Sequence, residues 1–344
     1  MATVKLRNNI SLGDYSKPYI VAELNTSHFG KIENAKTMVV AAKKSGCNCV
    51  KFQSWTEGTL YSENYYQENP IAQRFVKKFS FSEDQLKELS DFCKELGVDF
   101  ASTPYSAEEA DFLVKECNVP YLKVASMDVN NLPFLEHIGR LNVPIVLSTG
   151  MSELEEIKLA VEVIKKTGNS KIIILHCVSI YPVDPEGINL LNIEGLRAVF
   201  PDNPIGYSDH SVGTEMAVAS IALGACLVEK HFTLDNKAIG MDNQMATEPG
   251  EMKLLVDSCQ NVFRAMGNHK RTLLEGEIKQ RLVMRRSIVA SKNLKAGTVL
   301  KREDLDFKRP GSGIPPDKTE AIIGKILTQD IDAGFLITNE CFNE

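Results

Sequence analysis

The chain of 344 residues has one tryptophan, only 7% aromatic residues and no excess of basic charge; its formal net charge is −6 at pH 7. Phosphate backbones and anionic membrane surfaces require a basic face, so this balance argues against both as partners. A small anionic ligand stays open, provided the positive charge that holds it is local. No run of about 18 apolar residues occurs, so no transmembrane helix is expected. The opening stretch, Met1-Ala-Thr-Val-Lys-Leu-Arg7, lacks the apolar core of a secretory signal. The 8 cysteines are scattered and none falls in a C-x-x-C pair, which excludes a zinc ribbon or dithiol motif. They fit free, buried thiols in a reducing cytoplasm. No G-x-G-x-x-G turn follows the first strand-like run, which weighs against an open dinucleotide-binding sheet.

What is present is an alternation. Strand-like runs are expected at Tyr19–Leu24, Cys49–Gln53, Phe100–Pro104, Tyr121–Ser126, Ile145–Thr149, Ile172–Cys177, Ile205–His210 and Leu227–Phe232. Amphipathic helical runs follow each, from Ile32–Ser45 to Glu251–Met266, with a longer insert after the second strand. Gly46, Gly97, Gly168 and Gly267 sit where left-handed residues end helices. Ser82, Ser106 and Ser152 stand as N-caps before acidic first turns. Repeated strand–helix units imply a parallel sheet, and a set of this size implies closure into a (β/α)8 TIM barrel over 1–267. After Gly267 the pattern changes. Residues 268–284 read as a charged linker with some helix, and 285–344 as a small, mostly β domain. That domain carries short strands at Ser287–Ala290 and Ile326–Ile331 and turns at Lys295-Ala-Gly297 and Asp332-Ala-Gly334. At about 60 residues it is marginal alone.

Barrel enzymes carry their chemistry at the C-terminal ends of the strands. There this sequence is polar. Side chains two apart on a strand share a face, which pairs His210 with Ser208 and His231 with Glu229. Two neutral imidazoles on adjacent strands suit a divalent transition metal with open positions, and Asp242 on the following loop is within range of such a centre. Glu23, facing inward on the first strand, is costly to bury unless paired or used. Lys51, with Gln53 on its face, and Lys123, with Ser126 and Asp128 at the end of its strand, are rare inside sheet runs without an anion to hold. They suggest a phosphate or carboxylate site; a Schiff-base lysine at Lys123 is the rival. Ser102-Thr103, Ser148-Thr149 and Ser179 add hydroxyl donors at other strand ends. His176 reads as a satisfied interior histidine, and His28 is open between site and surface.

These residues sit in segments that resemble the sialic acid synthase family of bacterial nonulosonic acid synthases. The segments are Val21-Ala-Glu23, Val50-Lys-Phe-Gln53, Leu122-Lys-Val-Ala-Ser126, Leu147-Ser-Thr-Gly150, Leu175-His-Cys177 with Tyr181-Pro182, Gly206-Tyr-Ser-Asp-His210 and Glu229-Lys-His-Phe-Thr233. Lys308-Arg-Pro-Gly-Ser-Gly313 resembles the signature loop of that family's C-terminal antifreeze-like (SAF, β-clip) domain. The resemblance implies a transferase that condenses phosphoenolpyruvate with an open-chain N-acyl hexosamine and water, giving a nine-carbon 2-keto acid and phosphate. It implies Mn2+, or Mg2+ or Co2+, on His210 and His231, with Lys51, Lys123, Ser126, Ser148 and Ser208 on phosphate and carboxylate. Glu23, with Asp242 as second candidate, would manage protons, and Gln53 and Tyr181 would line the sugar site. It further implies a cytoplasmic homodimer whose swapped C-terminal domain brings Arg309 to the partner's N-acyl sugar.

The sequence departs from the family at Ser27, Asp128, Ser179, Met241 and Asn243-Gln244. These lie on the sugar side as the resemblance places it, so N-acetylmannosamine and the acceptors leading to legionaminate or pseudaminate all stay open. Two other functions remain: a metal-dependent hydrolase on the same barrel, and a non-enzymatic carbohydrate-binding protein. The hydrolase leaves two strand-borne lysines unexplained, and the binding protein leaves the polar strand ends unexplained.

Overall fold

The computed structural model describes residues 2–238, 240 and 242–343; Met241, one of the departures above, lies outside them, as does Ile239. Its contacts divide into two units, Met1–Gly267 and Asn268–Glu344.

The first unit is built on eight parallel strands: β1 Tyr19–Glu23, β2 Cys49–Gln53, β3 Asp99–Thr103, β4 Leu122–Val124, β5 Ile145–Ser148, β6 Ile172–Cys177, β7 Ile205–Asp209 and β8 Leu227–His231. Hydrogen-bonded order is 3-2-1-8-7-6-5-4. The first strand therefore pairs with the last, Glu23 opposite His231. An open doubly wound sheet would keep those strands apart; here β3 and β4 pack as neighbours and complete a TIM barrel.

Alternation along each strand separates two kinds of environment. Outward-facing Ile20, Ala22, Val50, Phe52, Val124, Leu147, Ile174 and Val228 join the large core beneath the surrounding helices. Inward-facing Val21, Cys49, Ala101, Val146, Ile173, Leu175 and Leu227 form a second apolar cluster. An N-terminal hairpin, Thr3–Lys5 against Ser11–Gly13, contributes Val4, Leu6 and Leu12 to that cluster. The same inward face turns polar at the C-terminal strand ends, where Glu23, Lys51, Lys123, Ser148, Ser208 and Glu229 are all buried.

Helix punctuation follows the local chemistry in most places. Gly46 (φ 92°) and Gly97 (φ 66°) cap their helices in the left-handed region. Ser82 and Ser106 accept from the backbone N–H groups of Gln85 and Glu109. Ser152 is not a cap, contrary to expectation. Glu153 takes that position ahead of Leu154–Lys166, exchanging hydrogen bonds with Glu156. The insert after β2 folds into three short helices, Glu57–Leu60, Glu63–Glu68 and Pro70–Phe79.

His28 lies in the loop after β1, yet it is neither a surface residue nor part of the cavity described below. It is buried and stacks on Phe81 at 4.1 Å, and its Nδ1 accepts from the Gly30 N–H. Burial pushes its pKa down to about 4. The unfolded chain binds this proton near pH 6.5 and the native state does not. The stability from a neutral His28 is therefore complete above that pH and is lost as pH falls toward 4, at about 1.4 kcal/mol per pH unit. Chemical denaturation between pH 7 and 4 should show a shallower acid loss for His28→Asn than for the wild type; equal slopes would refute this.

In the second unit, Glu275–Met284 forms a helix within the expected linker, followed by the antiparallel pair Ser287–Ala290 and Leu305–Lys308. Ile326–Ile331 is not a continuous strand. It makes single bridges, Ile326 to Val299, Leu327 to Phe342 and Ile331 to Leu294, as the chain winds around a compact core. Gly297 (φ 86°) and Gly334 (φ 84°) make the two expected turns.

Candidate active site

A cavity of about 370 Å3 opens at the C-terminal ends of the barrel strands. It is lined by Glu23, Lys51, Gln53, Lys123, Ser126, Ser148, Ser179, Tyr181, Ser208, His210, His231 and Asp242. One of the expected site residues of this unit, Asp128, is not among its walls. Asp128 accepts from Asn131 through Oδ1. Arg309 belongs to the second unit. A larger groove of about 710 Å3 runs beside Ser179, but its lining is mostly apolar and no set of ionisable groups converges there.

The interior of the cavity is a buried four-charge cluster. Lys51 pairs with Glu23 through Oε2 and lies 3.7 Å from Glu229 Oε1, which is also 3.6 Å from Lys123 Nζ. Lys51 further donates to Thr103 at 3.1 Å. Register explains the convergence: Glu23 stands opposite Lys51 on β2 and opposite His231 on β8. Burial raises the Glu23 carboxyl above its ordinary range, with Lys51 pulling the other way and Glu229 adding to the rise. Burial lowers the Lys123 ammonium, which has Glu229 as its carboxylate neighbour, whereas Lys51 stays raised between two carboxylates despite burial. Glu229 Oε2 and Ser148 Oγ have no partner among the described protein atoms. Gly150 permits a tight approach: a Cβ there would stand 2.2 Å from Ser179 Oγ and 2.9 Å from Ser126 Oγ, and its N–H donates to Ser126 Oγ.

Gln53 is held from both ends. Its Oε1 accepts from Trp55 Nε1 at 2.9 Å and from Tyr105 OH at 2.7 Å, while its Nε2 donates to Glu23 at 3.3 Å. Trp55, Tyr105, Asn25, Thr103 and Cys177 also line the cavity. Of these, Trp55 and Tyr105 escape sequence reasoning altogether, because an aromatic residue just past a strand carries no one-dimensional mark of facing a ligand.

The two histidines lie side by side, their ring centroids 5.4 Å apart, with the Tyr181 ring tilted against His210 at 4.1 Å. His210 Nδ1 donates to the Val178 carbonyl at 2.7 Å, which leaves Nε2 as the nitrogen that can face a ligand; burial lowers its pKa, but Cys177 and that carbonyl outweigh burial and hold it above its usual value. His231 is held well below its usual pKa, first by burial and then by the positive fields of His210 and Lys51, so it is neutral. Asp242 lies 3.8 Å from His231 Nδ1 and accepts from Asn25. Among the described residues no three His, Cys, Asp or Glu side chains are grouped as a closed metal site. The donor set nevertheless fits an open divalent centre, with two imidazoles, of which His210 would give up its second ring proton to the metal, and remaining positions for ligand oxygens. The four titratable groups on which an anion-plus-metal reading depends, Lys51, Lys123, His210 and His231, thus border one cavity.

Residues 285–343 match the SAF domain. The chain is 34% identical over 329 residues to the N,N'-diacetyllegionaminic acid synthase of Legionella pneumophila, covering 92% of each chain. It is 35% identical over 332 residues to the N-acetylneuraminate-9-phosphate synthase of Mus musculus, covering 94% of this chain and 92% of that one. The crystal structure of N-acetylneuraminic acid (sialic acid) synthetase from Leptospira borgpetersenii serovar Hardjo-bovis in complex with citrate superposes with a TM-score of 0.73 at 31% identity, over 81% of this chain and 95% of that one. Relatives of this chain include synthases of N,N'-diacetyllegionaminic acid and of pseudaminic acid, and no helix among the described residues is long and apolar enough to cross a membrane. With residues 38–271 matching it as well, the chain belongs to the NeuB family.

Proposed function

We propose that this protein condenses phosphoenolpyruvate with an open-chain N-acyl hexosamine and water, giving a nine-carbon 2-keto acid and phosphate. The observation that carries this reading is the placement of two buried ammonium groups, Lys51 and Lys123, in the same cavity as two neighbouring imidazoles. A hydrolase acting on a neutral substrate has no use for the lysines, and a passive sugar-binding surface has no use for a buried carboxyl raised in pKa.

Lys51 and Lys123 bind the phosphate and carboxylate of phosphoenolpyruvate, with Ser126, Ser148 and Ser208 donating hydrogen bonds. Charge fixed before the reaction suits a trianionic substrate better than mobile water does. Gln53 and Tyr181 line the side on which the sugar lies. A divalent cation, Mn2+ in this reading and Mg2+ or Co2+ as alternatives, would be held by His210 and His231 and would supply Lewis acidity to the acceptor aldehyde. C3 of phosphoenolpyruvate forms the new bond to the aldehyde carbon, water adds at C2, and cleavage of the C2–O bond releases phosphate. Glu23, raised by burial, is suited to carry the proton between water and the sugar oxygen, with Asp242 as the second candidate. The reading extends to a homodimer in which Arg309 of one copy contacts the N-acyl group in the other. The cytoplasm, where phosphoenolpyruvate is made, is its expected location.

The test is to incubate the protein with Mn2+, phosphoenolpyruvate and a panel of N-acyl hexosamines, including 2,4-diacetamido-trideoxyhexoses, and to detect the keto acid by mass. Consumption of phosphoenolpyruvate should need both metal and sugar. Sugar binding without turnover would favour the carbohydrate-binding alternative, and no keto acid from any acceptor would overturn the proposal.

A further inference from the structure

Directly behind the two histidines, on the helix-facing side of the sheet, lies an ion pair that touches nothing in the cavity. Asp209 precedes His210 and Lys230 precedes His231, so alternation turns both outward while the imidazoles turn inward. The two are register partners on β7 and β8, with Lys230 Nζ 2.8 Å from Asp209 Oδ2. Lys230 also donates to the Ser211 carbonyl at 2.6 Å. Asp209 Oδ1 accepts from the Ser211 N–H at 2.9 Å, the Ser211 hydroxyl at 2.7 Å and the Tyr207 hydroxyl at 3.1 Å. Asp209 and Lys230 are each 1% exposed.

A charged pair in such a place is a poor way to gain stability, since well-packed apolar side chains of similar volume often do as well or better. What it adds is direction. One ammonium ties the end of β8 both to β7 and to the backbone just past His210, so the residues on either side of His210 and the residue before His231 form a single bonded unit. We propose that the Asp209–Lys230 pair is a positioning device for the two imidazoles, setting their separation and thereby the affinity of the metal centre. The pair touches neither substrate nor metal and acts through the strand ends. This inference rests on the reading of His210 and His231 as metal ligands.

The test measures Mn2+ alone binding to the full-length protein, by the loss of the free-ion electron paramagnetic resonance signal, alongside thermal unfolding. Lys230→Met should weaken Mn2+ binding by roughly 10- to 100-fold, the range seen when groups supporting metal ligands are removed. Lys230→Gln combined with Asp209→Asn, which keeps a neutral hydrogen bond between the same positions, should recover most of the loss. A folded Lys230→Met protein with wild-type Mn2+ affinity would overturn the inference. If that variant does not fold, Tyr207→Phe and Ser211→Ala decide instead. Each removes one hydrogen bond from Asp209 and should weaken binding about 3-fold or more, and unchanged affinity in both would overturn the inference. A wild-type protein that binds no Mn2+ would remove the metal centre and this inference together. Wild-type binding that persists unchanged in the variants removes the positioning role alone.

Discussion

His231→Ala should lower the turnover of keto acid from phosphoenolpyruvate by at least about 1,000-fold, because metal polarisation of a carbonyl is worth several kcal/mol of barrier. The fold should survive. His231 faces a polar cavity rather than the apolar core, and the backbone bonds that hold the end of β8, from Phe232 N–H to Glu23 and from Thr247 N–H to His231, do not involve the imidazole. A change in unfolding free energy of about 1 kcal/mol is expected. His210→Ala should be as damaging to turnover, and the double variant little worse than either, since groups that act as a unit are not additive. Steady-state kinetics beside thermal unfolding check both halves. Near-normal turnover in His231→Ala would refute the ligand assignment, whatever the fate of the rest of the site.

The second large effect is on stability as well as chemistry. Lys51→Met removes the ammonium that Glu23 and Glu229 share and leaves two carboxylates inside the barrel with Lys123 as the remaining nearby cation. Breaking a buried pair from one side costs about 3–5 kcal/mol. The deficit should depend on pH in a particular direction. Without Lys51 the native carboxyls hold their protons to higher pH than the unfolded chain does. The variant is therefore penalised most near pH 7 to 8, and its deficit narrows as pH falls and the carboxyls become neutral. Lys51→Met combined with Glu23→Gln should regain much of the lost stability, because one of the stranded charges is gone. Neither variant should bind phosphoenolpyruvate at wild-type affinity. Denaturation curves at several pH values test this, and a Lys51→Met protein within about 1 kcal/mol of wild type at pH 7 would show that the cluster is not coupled as described.

Much of this was readable in one dimension, and for a definable reason. Lys51, Lys123, Glu23, His210 and His231 stand out because each interrupts an apolar strand pattern on the inward face, where only ligand chemistry or pairing makes a charge tolerable. The closed barrel follows from the number of alternations. Asp128 shows the limit: it sits just past β4, but the short 3-10 turn Ser126–Asp128 directs it toward Asn131. Ser152 and Ile326–Ile331 show another limit, since neighbouring residues compete for a cap and single bridges leave no periodic signature. Glu229, legible only as a companion of His231, proves to hold both lysines, a role that depends on strands distant in sequence. Asp209 and Lys230 were hidden by their own neighbours, because the histidines beside them account for the polarity of both segments.

The N-terminal hairpin gives the barrel a floor. With Val4, Leu6 and Leu12 filling that end, the cavity opens at the C-terminal strand ends, and a ligand enters and leaves from that side.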